Sequence, residues 1–213
     1  MSGFFLTLVS SQTLSAGHRT IVFDFLKNQG IAFTEEWYVL SPDRAVDIAL
    51  QSPLNKTQID ALRGRLNHID VFVSPAANRR KKLFIADMDS TIVTSETLDE
   101  LAAFANVKNE VSAITKLSME GKINFEESLT KRVALLENMD AKHMQTILEN
   151  TKFNPGADIL LKTLRKNNVH CVLVSGGFTF FTSQIAKKIE FDTHHGNVLD
   201  IQNGALTGKL AAP

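Results

Sequence analysis

The sequence predicts an α/β protein divided into two units, and three observations support this prediction. Residues 1–75 carry strand and helix patterns in the order βαββαβ, which is typical of a small α+β domain. Residues 76–82 have the polar and basic composition of a linker. Between residues 83 and 213, strand patterns alternate with helix patterns, which indicates a parallel sheet. A helical stretch at about 95–152 interrupts this alternation, so we expect a helical cap inserted after the first strand of the second unit.

The first unit opens with a nearly continuous apolar run, Phe4–Val9, which predicts a buried strand. Helix patterns follow at Gly17–Asn28 and at Lys56–Asn67. The remaining patterns predict strands at 32–40, 44–51 and 68–74. In the second of these strands Asp47 alternates with apolar residues, so we expect it on the open side of a half-buried strand. The element order resembles that of an ACT domain, a small ligand-binding fold, and it fits equally well any ferredoxin-like domain with a packing role.

The second unit starts with a short buried strand, Leu83–Ala86, which runs directly into acidic residues. Thr97 with Glu100, and Asn124 with Glu127, have the capping-box spacing that begins a helix. After the helical stretch, a further helix pattern reaches Lys166. The next buried strand is predicted at Val169–Val174, and the dipeptide Asn203-Gly204 predicts a hairpin turn.

The composition argues against several classes of function. Lys and Arg number 23 and Asp and Glu number 23, so the chain as a whole shows no electrostatic preference for nucleic acid or for an anionic membrane. No apolar stretch approaches the ~20 residues of a membrane span, and no basic residue precedes the apolar run at the start, as an export signal would require. The single cysteine, Cys171, excludes an internal disulfide and fits a reducing compartment. We therefore expect a cytoplasmic protein.

The strongest chemical signal is the segment that follows the first strand of the second unit. Asp87 and Asp89 would lie at the carboxyl edge of a parallel sheet, where open α/β folds hold ligands. Two carboxylates in one loop repel each other unless a cation is near, and Mg²⁺ suits them because it binds a few oxygen ligands and keeps several waters. Asp87 is then a candidate nucleophile toward a phosphoryl group, and Asp89 a candidate acid and base. An acidic loop without chemistry remains the alternative for the pair alone.

A second signal is Ser175-Gly176-Gly177, which follows the next predicted strand. A small hydroxyl residue and two glycines let backbone N–H groups approach an anion closely. The helix predicted at about residues 178–188 adds the positive end of its dipole.

The string Asp87-Met88-Asp89-Ser90-Thr91 resembles the first motif, D-x-D-x-T, of the haloacid dehalogenase superfamily, and in detail that of the phosphoserine phosphatases. The resemblance implies that Asp87 is the nucleophile and Asp89 the acid and base. It also implies that Mg²⁺ binds the Asp87 side chain and the Asp89 backbone carbonyl, and that Ser175 and Gly176 bind phosphate. The implied reaction is hydrolysis of O-phospho-L-serine to L-serine and phosphate, the last step of serine biosynthesis.

Four residues of the cap match the family's substrate contacts. Glu96 corresponds to the acidic residue near the substrate amino group, and Arg132 corresponds to the arginine that binds the carboxylate. Met119 and Phe125 correspond to the apolar residues that shield the closed site. Taken singly, each has a structural alternative as a surface charge or a core side chain.

Two of the family's motifs are not found before Pro213: a lysine that steadies the phosphoryl charge, and an acidic strand end, G-D-G-x-N-D, that completes the Mg²⁺ site. Lys209 lies too early to be that lysine. We therefore expect a partial core with weak or no activity, and self-association as a homo-oligomer through an open sheet edge. A catalytically broken ligand-binding form, and a phosphatase of this fold with another small phosphate ester as substrate, remain alternatives.

Overall fold

The computed structural model describes residues 3–211, and the chain separates into two units, Met1–Lys81 and Lys82–Pro213. Each unit has its own hydrophobic core of buried side chains.

The first unit is an antiparallel sheet with two helices against one of its faces. Its elements in chain order are β1 (Phe4–Ser10), α1 (Ala16–Asn28), β2 (Tyr38–Ser41), β3 (Ala45–Leu50), α2 (Lys56–Arg63) and β4 (Ile69–Pro75). The strand order is β2-β3-β1-β4, the arrangement of a ferredoxin-like βαββαβ fold. In register, Leu6 lies opposite Ile48 and Val73, and its side chain is fully buried among those of the helices. The ACT-like assignment of this unit stays a prediction.

Asp47 of β3 does not lie on an open side of its strand as expected. It is 3% exposed, because the guanidinium of Arg79 covers it with two hydrogen bonds to its carboxylate. Arg79 also donates to Thr7 Oγ1 at 3.0 Å and lies over the ring of Phe5, with Cζ 4.6 Å from the ring centroid. Arg79 comes from the basic segment predicted as a linker, and here it covers Asp47 and Phe5 on the outer face of the sheet of the first unit.

The second unit is a parallel sheet joined to a helical cap and a hairpin. Its elements in chain order are β5 (Leu83–Ala86), α3 (Thr97–Phe104), α4 (Lys108–Met119), α5 (Phe125–Ala134), α6 (Lys142–Asn150), α7 (Ala157–Lys166), β6 (His170–Phe178), α8 (Thr179–Ile189), β7 (Thr193–Asn197), β8 (Leu199–Gln202) and β9 (Ala205–Leu210). Strands β5, β6 and β7 are parallel in that order, and β8 and β9 form an antiparallel hairpin. The hairpin turns at Asn203 and Gly204, both with positive φ, as the sequence predicts.

The two ends of the helical cap are tied together beside β5. Asn154, which follows the cap, donates its backbone N–H to Ile92 O at 2.9 Å and its side-chain amide to Thr91 O at 2.8 Å. The loop after β5 and the segment before α7 are therefore held side by side, which fixes where the cap begins and ends relative to the sheet.

Three local predictions for this unit are wrong in detail. The N-cap of α3 is Glu96 rather than Thr97, and the Thr97 hydroxyl is buried without a hydrogen-bond partner. Strand β6 continues four residues beyond Val174, to Phe178, because Phe178 pairs with Asn197 of β7. Strand β5, predicted as buried, lies at the edge of the described sheet, where Leu83 and Ile85 are 52% and 60% exposed. Across residues 3–211, no helix has the length and apolar character that crossing a membrane requires.

Candidate active site

The loop after β5 presents two carboxylates on either side of a buried anchor. Met88 is fully buried, and its carbonyl accepts hydrogen bonds from the backbone N–H groups of Ile92 at 2.9 Å and Val93 at 3.0 Å. Because successive residues of an extended segment point to opposite sides, the neighbours of Met88 are directed away from the core. Asp87 is exposed and Asp89 is half-buried. The loop thus turns both carboxylates toward the carboxyl end of the sheet.

The carboxylate of Asp89 is held by one donor on each oxygen. Its Oδ1 accepts the first backbone N–H of α3, from Thr97, at 2.7 Å. Its Oδ2 accepts the hydroxyl of Ser175 at 3.2 Å. Asp89 therefore occupies the position of a cap for α3, since it satisfies a helix N–H that would otherwise lack a partner. Within the described residues, the Asp87 carboxylate accepts one hydrogen bond, from the N–H of Met88 to Oδ1 at 2.7 Å.

Strand β6 brings Ser175 beside this loop, since Ala86 at the end of β5 lies in register with Leu173. The N–H of Gly177 donates to Ser175 Oγ at 2.8 Å, and the amide of Asn197 donates to Gly176 O at 2.8 Å. A Cβ on Gly177 would lie 3.0 Å from Ser175 Oγ and 3.1 Å from Asp89 Oδ2. The second glycine is therefore needed for Ser175 and Asp89 to meet.

Gly176 has a different neighbour, the ring of Phe125. A Cβ on Gly176 would lie 3.0 Å from Phe125 Cζ, so the aromatic ring rests on the bare backbone of the glycine. Phe125 is the first residue of α5, and the side chain of Asn124 caps that helix by accepting the N–H of Glu127 at 2.8 Å, as the sequence predicts. The cap of α5 thereby fixes the residue that covers this part of the sheet edge.

Two residues of opposite charge come from the cap. Glu96 lies at the start of α3, and its Oε1 accepts the hydroxyl of Ser90 at 2.6 Å. Arg132 of α5 is half-buried, and its Nε donates to Ser128 O at 3.3 Å. Burial lowers the pKa of the Arg132 guanidinium, and the carboxylates of Asp99 and Glu96 act in the opposite direction. An arginine remains cationic at neutral pH under such conditions.

These side chains border one cavity of about 260 Å³. Its lining consists of Asp87, Asp89, Glu96, Leu98, Phe125, Arg132, Ser175, Gly176 and Gly177. Seven of the eight predicted site residues are therefore brought together. Met119, the eighth, is 86% exposed at the end of α4 and does not line the cavity, so its role in shielding the site stays a prediction.

Several residues that shape this site were not identified from the sequence. Leu98 lines the cavity, Thr97 bonds Asp89 through its backbone, and Asn197 holds the glycine carbonyl. Gly177 also lines the cavity, and it belongs to the Ser175-Gly176-Gly177 signal identified in the sequence. Thr97 and Asn197 gave no signal of these contacts in the sequence, because the contacts depend on the tertiary fold.

The donor atoms around Asp87 and Asp89 fit Mg²⁺ in kind. Carboxylate and carbonyl oxygens are its preferred protein ligands, and it takes only one or two carboxylates together with waters and substrate phosphate. The side chain of Asp87 and the backbone carbonyl of Asp89 would hold the ion. Over residues 3–211, no group of three or more His, Cys, Asp or Glu side chains is placed to hold a metal together.

Comparison with known proteins gives a consistent result. A family model described as haloacid dehalogenase-like hydrolase matches residues 84–213. The chain is 39% identical over 144 residues to the phosphoserine phosphatase of Archaeoglobus fulgidus, covering 67% of this chain and 42% of that protein. It is 42% identical over 144 residues to the phosphoserine phosphatase of Albidiferax ferrireducens, covering 67% of this chain and 61% of that protein. The chain thus spans about half the length of these curated relatives.

Solved structures agree with the sequence relatives. A phospho-aspartyl intermediate analogue of phosphoserine phosphatase superposes with a TM-score of 0.58 at 39% identity, covering 62% of this chain and 63% of that one. A hydrolase of the haloacid dehalogenase family from Salmonella enterica superposes with a TM-score of 0.81 at 23% identity, covering 100% of this chain and 74% of that one, and this likeness is one of fold. The predicted resemblance to phosphoserine phosphatases and the predicted α/β core are confirmed.

Proposed function

The chain belongs to the haloacid dehalogenase-like hydrolases, and we propose that its cavity serves the Mg²⁺-dependent hydrolysis of O-phospho-L-serine to L-serine and phosphate. One observation carries the proposal: the acidic pair Asp87 and Asp89 shares a single cavity with Glu96 and Arg132. The first pair suits phosphoryl transfer. The second pair suits the ammonium and carboxylate groups of an amino acid, so the combination selects an amino-acid phosphate among small phosphate esters.

The first half of the reaction forms an aspartyl-phosphate on Asp87. A carboxylate oxygen of Asp87 attacks phosphorus, and the bond between phosphorus and the serine oxygen breaks. The carboxyl group of Asp89 gives its proton to that oxygen, so that serine leaves as a neutral alcohol. The hydrogen bonds from Thr97 and Ser175 fix the orientation of the Asp89 carboxyl group during this transfer.

The second half returns the enzyme to its starting state. Asp89 removes a proton from a water molecule, whose oxygen attacks phosphorus and breaks the bond to Asp87. Phosphate leaves, Asp87 is a carboxylate again, and Asp89 carries the proton needed for the next cycle. When bound, Mg²⁺ neutralises phosphoryl and carboxylate charge, which would otherwise repel each other. Backbone N–H groups near Ser175 and Gly176 are suited to the phosphate oxygens.

Recognition of the serine part is assigned to the cap. The planar guanidinium of Arg132 matches a carboxylate with two parallel hydrogen bonds, which a lysine could not supply in the same way. The negative carboxylate of Glu96 would bind the positively charged ammonium group of the substrate. Phe125 lies over the bare backbone of Gly176 at one side of the cavity, where its ring can pack against a bound substrate.

A binding role without turnover is a second candidate, and the lining of the cavity favours it. Among the residues lining this cavity in the described part of the chain, Arg132 is the one basic side chain, and the proposal uses it for the carboxylate rather than for the phosphoryl group. Absence of one preorganised charge-stabilising group typically costs ~10²–10³ in rate. Turnover by this chain is accordingly expected to be weak. Hydrolysis of another small phosphate ester by the same fold is the third candidate.

The deciding experiment measures phosphate release from O-phospho-L-serine with Mg²⁺, for the wild type and for the Asp87→Asn variant. We expect release by the wild type and none by the variant, with Asp158→Asn, an exposed carboxylate on α7, as the matched control that retains the wild-type rate. A folded wild type that binds O-phospho-L-serine without releasing phosphate would favour the binding role. Faster turnover of phosphocholine or a sugar phosphate than of phosphoserine would reject the substrate assignment.

A cytoplasmic location, a place in serine biosynthesis and self-association as a homo-oligomer belong to the same proposal.

A further inference from the structure

Ser90 lies within the acidic loop, yet the steps described above give it no role. Its hydroxyl donates to Glu96 Oε1 at 2.6 Å. Its backbone has φ +50°, and its N–H donates to Ser95 O at 3.2 Å, which closes the loop on itself. This closure brings the side chain of Ser90 to that of Glu96, which lines the cavity.

The conformation of Glu96 is unusual for its place in the fold. Glu96 is the N-cap residue of α3, where a side chain commonly accepts a hydrogen bond from its own helix. The Glu96 carboxylate makes no such bond and reaches back to Ser90 instead. Asp89 accepts the N–H of Thr97, the first residue of α3, whereas an N-cap side chain serves the N–H of the second or third residue. Among the hydrogen bonds of the described residues, the one from the Ser90 hydroxyl is the one made to the Glu96 carboxylate.

The position of Glu96 matters because Arg132 borders the same cavity. The two side chains have opposite charges, and Glu96 acts to raise the pKa of Arg132, so each lies in the field of the other. Among the described residues, however, no nitrogen of Arg132 lies within 4.0 Å of an oxygen of Glu96. An ion pair between them would neutralise both groups that the amino-acid part of a substrate needs.

We propose that Ser90 is a positioning residue that holds the carboxylate of Glu96 apart from Arg132, so that both charges stay available to a zwitterionic amino-acid phosphate. The inference rests on the proposed function, since it assigns Glu96 to the substrate ammonium. Without the Ser90 hydroxyl, Glu96 is free to pair with Arg132, and the site keeps its affinity for phosphate while losing its preference for the serine part.

The test compares two ligands by calorimetric titration of the full chain with Mg²⁺. O-Phospho-L-serine carries both charged groups, and ethyl phosphate carries neither. All proteins carry Asp87→Asn, so that neither ligand is hydrolysed. Ser90→Gly removes the hydroxyl and suits the positive φ at this position. We expect it to weaken phosphoserine binding about tenfold, the effect of losing one hydrogen bond to a charged group, and to leave ethyl phosphate binding unchanged.

Two further variants make the outcome specific. Ser95 lies in the same loop, and its backbone carbonyl accepts the N–H of Ser90. Ser95→Ala keeps this backbone bond and should leave both affinities unchanged. In a Glu96→Gln background, Ser90→Gly should cause no additional loss, because Ser90 acts through Glu96. Equal weakening of both ligands by Ser90→Gly, or additive losses with Glu96→Gln, would overturn the inference. If the parent protein shows no preference for phosphoserine over ethyl phosphate, the proposed function itself fails and the inference with it.

Discussion

Replacing Arg79 by leucine should destabilise the first unit, although Arg79 lies in a segment with the composition of a linker. The carboxylate of Asp47 is 5% exposed, and its partners are the Arg79 guanidinium and the Thr7 hydroxyl. Without Arg79, a buried negative charge keeps only one neutral donor. The same substitution also removes the cation from the face of the Phe5 ring.

The size of the effect follows from the exposure of the two partners. Removing one member of a fully buried ion pair costs roughly 3–5 kcal/mol. The Arg79 side chain is 29% exposed, so water can replace part of what is lost. We therefore expect a loss of about 2 kcal/mol in the free energy of unfolding of the first unit. For a unit of this size the urea midpoint should fall by about 1–2 M.

The chain contains one tryptophan, Trp37, which packs against the core of the first unit. Its fluorescence during urea unfolding therefore reports on this unit separately from the second. Arg80→Leu is the matched control, since Arg80 is exposed and should change the free energy by no more than about 0.5 kcal/mol. If Arg79→Leu shifts the midpoint no further than Arg80→Leu, the account of Asp47 burial is refuted.

Two further predictions concern the second unit. Gly176→Ala should weaken phosphoserine binding about fivefold in a titration, because a Cβ 3.0 Å from Phe125 Cζ forces the ring to turn. Adding Phe125→Leu should restore part of the affinity, and an equal loss in the double variant would exclude the clash as the cause. Burial raises the pKa of the Cys171 thiol, with Asp192 acting in the same direction, so less reactive thiolate is present at neutral pH than in a free cysteine. The native protein should resist a thiol reagent that labels the urea-unfolded chain within minutes, and fast labelling of the native state would contradict the buried position of Cys171.

Local signals predicted the local features of the fold. Asn203-Gly204 forms the expected turn because both residues tolerate positive φ, and Asn124 caps α5 through its own side chain. The cap of α3 was misassigned because Thr97 gives its N–H to Asp89, a residue that reaches the helix only in the folded chain. Asp47 was misplaced for the same reason, since its partner Arg79 is 32 residues away in sequence.

Most residues of the candidate site could be predicted from the sequence, whereas the contacts that support them could not. Asp87 and Ser175 follow neighbouring parallel strands, so their motifs are expected to converge once the strand register is known. The contact of Phe125 with Gly176 and that of Ser90 with Glu96 depend on side-chain positions that no spacing encodes. Met119 illustrates the limit, because a matching position in the cap did not place it at the cavity.

In the proposed reaction, Asp87 carries the phosphoryl group. The most direct measurement is mass spectrometry of the wild-type chain, quenched with acid during incubation with O-phospho-L-serine and Mg²⁺. Trypsin cleavage after Lys82 and Lys108 gives the peptide 83–108, which contains the acidic loop. We expect one phosphoryl group on this peptide, located at Asp87, labile to hydroxylamine and absent from the Asp87→Asn variant. Phosphate release with no phosphoryl group on the peptide, or with the group on another residue, would contradict it.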